Sequence, residues 1–94
     1  MDTFAKQLDE KYSITVDFSA VLSTGETIST KTVTATLAGV VVTSTVIDSS
    51  AIVGETIVIT VKEGAVNDYK ITILITTSAE NIYEEDVLMQ VRDY

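Results

Sequence analysis

Residues 63–78, EGAVNDYKITILITTS, decide the fold. Gly64, Asn67 and Asp68 are turn formers, so the first six residues read as a loop. From Tyr69 the pattern has a period of two. Tyr69, Ile71, Ile73 and Ile75 alternate with Lys70, Thr72, Leu74 and Thr76. A helix would require an apolar spacing near 3.6; a spacing of two is that of a strand with one face buried.

The same alternation extends outward in both directions. Tyr12, Ile14, Val16 and Phe18 share one face of an upstream run. Val33, Ala35 and Leu37 share another, and Ile57, Ile59 and Val61 a third. Downstream, Val87, Met89 and Val91 repeat the pattern. Ile28 has the opposite parity to Val33, which predicts a kink or bulge near residues 29–31. Between residues 40 and 52 the pattern is weak. Short strands at 40–43 and 45–47 and a turn at Asp48-Ser49-Ser50 are the expected arrangement. Six to seven short strands, with turns between them and no long helix, predict an all-β chain. The expected fold is an immunoglobulin-like Greek-key β-sandwich over residues 12–94. Residues 1–11 form a terminal arm in this reading, loose or with a short helix from Asp2 or Thr3 that would place Phe4 and Leu8 on one side.

Tyr69 at the head of its strand has two readings. It is either the tyrosine corner of such a sandwich, its hydroxyl tied back to upstream backbone with Ile71 at the cysteine position of antibody domains, or an ordinary core tyrosine.

Composition narrows the function. The 94 residues contain no Cys, His, Pro or Trp. Thiolate chemistry, disulfides and Cys-ligated zinc are therefore excluded, as is any Ser-His-Asp triad. Six basic against fourteen acidic residues give a net charge of −8, which disfavours nucleic acid and anionic membranes as partners. No apolar run is long enough for a membrane-spanning helix. The N-terminus lacks signal-peptide character, so a soluble chain made in the cytoplasm is the expectation. Glu84-Glu85-Asp86 is the densest acidic run, but alternation sends Glu85 to the face opposite Glu84 and Asp86. A charged edge strand suits the run better than a calcium loop. No catalytic residue, cofactor or metal is expected. Leu74 and Leu88 fall on outward faces; they are either scattered surface residues or part of a face covered in a homo-oligomer.

The order of these motifs resembles a known family. Tyr12, Ile14, Val16, Asp17, Phe18 and Ser19, followed by Leu22 and then Glu26-Thr27-Ile28-Ser29, resemble an N-terminal signature of tailed-phage fiber–tail adaptor proteins, the gp77-like group. Residues 63–94, with their loop, Asp68-Tyr69, Thr76-Thr77 and the terminal Val91-Arg92, resemble its second half. The chain has Glu80 where the last turn of that family carries glycine. The resemblance implies a non-enzymatic structural protein of a phage or prophage virion, located in the tail and touching other tail or fibre proteins. Phe4, Leu8, Leu74 and Leu88 are the candidate contacts. The alternative is a carbohydrate-binding or adhesion sandwich, with Phe18, Tyr83 and Tyr94 as its few candidate aromatics.

Overall fold

A computed structural model describes residues 2–93, and the alternating run that begins at Tyr69 lies in one of its two longest strands. In chain order the elements are β1 (Asp2–Gln7), β2 (Tyr12–Asp17), β3 (Ile28–Leu37), β4 (Val40–Val41), a single helical turn α1 (Thr43–Val46), β5 (Ile47–Val53), β6 (Thr56–Val61), β7 (Asn67–Thr77) and β8 (Ile82–Arg92). They form two sheets. The larger has the order β1-β8-β7-β3-β4 and the smaller β2-β6-β5. This order fits the expected all-β sandwich. The domain is elongated along its strands, measuring 43 × 23 × 20 Å.

The core lies where the alternation placed it. Ile57, Ile59 and Val61 of β6 face Ile71, Ile73 and Ile75 of β7 and Val87, Met89 and Val91 of β8, and nearly all are fully buried. β-Branched side chains have few rotamers to lose on a pleated surface, which is why Ile and Val dominate here. The β3 pairing confirms the bulge: Ile28 pairs with Thr77 and Thr30 with Thr76, so the extra residue restores Ile28 to the buried face.

Three segments differ from expectation. Residues 2–7 are neither loose nor helical; they form a six-residue strand parallel to β8, from Asp2 opposite Val87 to Gln7 opposite Arg92. The free edge of β8 satisfies their backbone groups, whereas a helix that short is marginal in water. Residues 43–46 form a helical turn that carries Val46 into the core, fully buried, in place of a strand at 45–47. The turn expected at Asp48-Ser49-Ser50 lies within β5, where the register against β6 shifts between Ile47 and Ser49. An edge strand tolerates those polar side chains because one of its faces remains in water.

The connection from β6 to β7 crosses between the sheets, and Tyr69 holds it. The Tyr69 hydroxyl accepts a hydrogen bond from the Ala65 N–H at 2.9 Å and lies 3.4 Å from the Ala65 carbonyl. Gly64 is required in the same loop: its φ is +95°, and a Cβ there would meet Val46 at 3.2 Å and Tyr69 and Val91 at 3.4 Å. Tyr69→Phe is expected to cost about 1 kcal/mol, the usual net value of one such bond. Urea denaturation checks it; an unchanged midpoint would contradict the pinning role. At the last hairpin Glu80 adopts φ +63°, a left-handed conformation costing about 1 kcal/mol for a residue with a Cβ.

Candidate interaction surfaces

The elements that could recruit a partner are the sheet edges. β4 closes one side of the larger sheet with two residues, and its Val40 and Val41 are both about two-thirds exposed. β5 borders the smaller sheet, and Ile52 and Val53 at its end are exposed. On the opposite side of the sandwich, β1 and β2 are the outermost strands. They are consecutive in the chain but belong to different sheets. Tyr12 links them: its hydroxyl donates to the Ala5 carbonyl at 2.9 Å, and its ring meets Phe4 edge-on at a centroid distance of 6.3 Å.

Below that link the two sheets part. A groove of about 400 Å³ opens there, lined by Thr3, Phe4, Ile14, Thr15, Val16, Asp17, Glu85 and Val87. Its floor is apolar, from Phe4, Ile14, Val16 and Val87, and its two carboxylates come from β2 and β8. Among the described residues β1 pairs with β8 from Val87 to Arg92, and β7 pairs with β8 on its other side.

The residues named from sequence are distributed as follows. Phe4 and Leu8 are half-buried and pack on the core from its rim. Leu74 and Leu88 stand on the outer face of the larger sheet, Leu74 exposed and Leu88 half-buried. They do not adjoin. Leu88 pairs with Lys70, Leu74 with Glu84, and the Thr72–Asp86 pair separates the two, about 14 Å along the strands. Thr72 donates to Asp86 at 2.8 Å and Lys70 lies 3.5 Å from the same carboxylate, so a polar band divides the two leucines. Phe18 is buried in the core and Tyr83 is half-buried. Tyr94 lies outside the described residues.

Sequence reasoning missed two polar side chains that the structure makes prominent. Lys6 is a buried cation on β1. Its ammonium donates to the carbonyls of Gln7 at 2.8 Å, Leu8 at 3.1 Å and Glu63 at 2.7 Å, tying the end of β1 to the β6–β7 connection. Burial lowers its pKa, while Glu10, Asp9 and Glu63 pull it back up. Glu26 is the second. It receives the Thr77 hydroxyl, the Ser23 N–H at 2.8 Å and the Asn81 amide at 3.0 Å, joining the β2–β3 connection to the last hairpin. These bonds, the Thr77 hydroxyl foremost, hold its carboxyl below the ordinary range. A carboxylate with a lowered folded pKa contributes stability that is complete above the unfolded value, near 4.3, and is lost as pH falls through the folded value. Glu26→Gln is therefore expected to flatten the loss of stability between about pH 5 and pH 3 and to lower the melting temperature at pH 7. Denaturation measured across that range tests it; parallel profiles would contradict it.

Among the described residues no three acidic side chains converge in a way that could hold a metal ion, and no helix is long and apolar enough to cross a membrane. The arrangement offers strand edges, an apolar groove and a negatively charged surface.

The chain matches the family model described as podophage GP4 fiber-tail adaptor protein gp77 over residues 6–90, and it belongs to that family. No curated protein matches it. The match begins at Lys6 and ends at Gln90, so it takes in every strand of both sheets at least in part.

Proposed function

We propose that this member of the podophage fiber–tail adaptor family is a non-enzymatic virion component that joins tail and fibre proteins by protein–protein contact. The observation that carries the reading is the family match across 85 consecutive residues, from 6 to 90. The surface supports it. The edge strands β1 and β4 of the larger sheet and β2 and β5 of the smaller expose backbone donors and acceptors that a partner's strand or loop can satisfy. Leu74 and Leu88, with the exposed Val40 and Val41, supply apolar side chains that a partner would bury, and Phe4 and Leu8 stiffen the β1 rim beneath such a contact. The fold contributes rigidity, and recognition resides on its edges.

Location in the virion follows from this role. Deleting the gene from the phage that carries it is expected to yield tails without fibres, visible in negative-stain electron micrographs, and supplying the chain in trans is expected to restore them. Fully fibred, infectious particles in the deletion strain would overturn the proposal.

A further inference from the structure

We infer that the stretch of β3 that β4 leaves unpaired, residues 30–34, is a docking site for an extended strand of a partner protein that places an Asp or Glu opposite Lys31 and an apolar residue opposite Val33. The inference rests on the adaptor reading and specifies the chemistry of its partner.

Three observations combine. First, β4 pairs with β3 only at Thr36 and Leu37, and the chain then leaves the larger sheet through α1. Among the described residues no strand lies beside residues 30–34 on the side away from β7, an edge of about 17 Å. Second, the free backbone groups on that edge can be assigned. The Ala35 N–H donates to Thr43 Oγ1 at 3.1 Å and its carbonyl accepts from the Val42 N–H at 2.8 Å, both away from β7. Backbone groups alternate sides along a strand, so those of Val33 and Lys31 point the same way, while those of Thr32 and Thr34 point to β7. Third, the inner face at this edge has an unanswered charge and an uncovered apolar side chain. Lys31 pairs with the buried Ile75 and Val33 with the buried Ile73, so both turn inward, and both are half-buried. Among the described residues Lys31 has no ion-pair partner. In the facing sheet β5 contacts β3, and Ile52 pairs with the buried Ile57 and so turns inward, yet it is exposed. An added strand beside β3 would bury apolar surface between the layers and bring a carboxylate to the lysine.

Lys31 determines which strand is admitted. An inward-pointing charge on an open edge disfavours indiscriminate pairing. A second copy could satisfy the free groups by setting Lys31 against Val33 and Val33 against Lys31, antiparallel. That register leaves both ammonium groups against valine with no acid, about 7–8 Å from each other across the diagonal, and joins two chains of net charge −8. A strand with Asp or Glu opposite Lys31 turns the same charge into an ion pair in a partly apolar setting. The edge therefore disfavours its own copy and selects an acid-bearing strand.

The test uses the full chain and three blocked nine-residue peptides of alternating Val and Thr: one with a Glu in place of an inward Val, one with a Lys there, and one with the residues of the Glu peptide scrambled. Binding is followed by fluorescence anisotropy and by amide hydrogen exchange. In the free chain the Lys31 and Val33 amides should exchange faster than those of Thr32 and Thr34. The Glu peptide is expected to bind about tenfold more tightly than the Lys peptide and to slow exchange at Lys31 and Val33. Lys31→Glu should reverse the preference, and Lys31→Met, which keeps the stem and removes the charge, should abolish it. Equal binding of the Glu and Lys peptides, equally tight binding of the scrambled peptide, or protection that omits Lys31 and Val33 would overturn the inference. So would protection of those two amides that rises with protein concentration when no peptide is present, because a second copy would then occupy the edge. These outcomes leave the adaptor reading intact, since that reading is decided by fibre attachment in the deletion strain.

Discussion

Ile73→Ala should remove about 3–4 kcal/mol of stability and lower the melting temperature by roughly 12–25 °C. Ile73 is fully buried at the centre of β7, opposite Val33 on one side and Glu85 on the other, and its side chain joins the cluster between the sheets. Truncation loses the transfer free energy of three carbon atoms and leaves a cavity that two hydrogen-bonded sheets cannot readily collapse to fill. A domain of this size rarely has more than about 5–15 kcal/mol in reserve, so the variant should retain the fold with a visibly reduced margin. Leu74→Ala, one residue along and on the outer face, should cost less than about 1 kcal/mol. Urea titrations of both variants compare the two faces of one strand directly. Similar losses at the two positions would mean that the two-layer burial described here is wrong.

The second large effect is expected at Lys6. Lys6→Met keeps the length and the apolar stem but removes the ammonium that three carbonyls share. Two effects oppose each other. Eliminating a buried charge relieves its desolvation cost, which is the effect that lowers its pKa. Against this, three charge-assisted bonds between 2.7 and 3.1 Å disappear, and the carbonyls are left facing methylene and sulfur. Three acceptors outweigh one desolvated cation, and a net loss of about 2 kcal/mol is expected. The loss should be local as well as global. With the tie to Glu63 broken, amide exchange should accelerate in residues 3–7 before it does in β7. A variant with wild-type stability and an undisturbed β1 would contradict the clamp.

Lys6 also explains where the sequence was hard to read. β6, β7 and β8 were legible because Ile and Val recur every second residue, and burial follows that alternation directly. β1 alternates too, with Phe4 and Lys6 inward, but a lysine breaks the apolar pattern. Only the convergence of carbonyls from residues 7, 8 and 63 makes its burial tolerable, and one of those lies 57 positions away along the chain. The helical turn at 43–46 was hidden for a related reason: Thr43, Ser44 and Thr45 have poor helix propensity, and the turn exists because Val46 plugs the core. The run Glu84-Glu85-Asp86 reads as a charged edge strand, but β8 is an interior strand between β1 and β7, because the N-terminal residues expected to form an arm pair with it instead. Phe4 and Leu8 stood out by their spacing, and that spacing suggested a helix where both side chains serve a strand and the turn after it.

In the proposed function, open strand edges of this chain, those of β4 and β5 among them, are covered by other tail proteins. Amide hydrogen exchange on the free chain and on the chain within purified tails measures that directly. The predicted result is rapid exchange at residues 40–41 and along the outer edge of residues 47–53 in the free chain and protection of those amides in the tail, while β6 and β7 are protected in both. Equally fast exchange of the β4 and β5 edges in both states would contradict it.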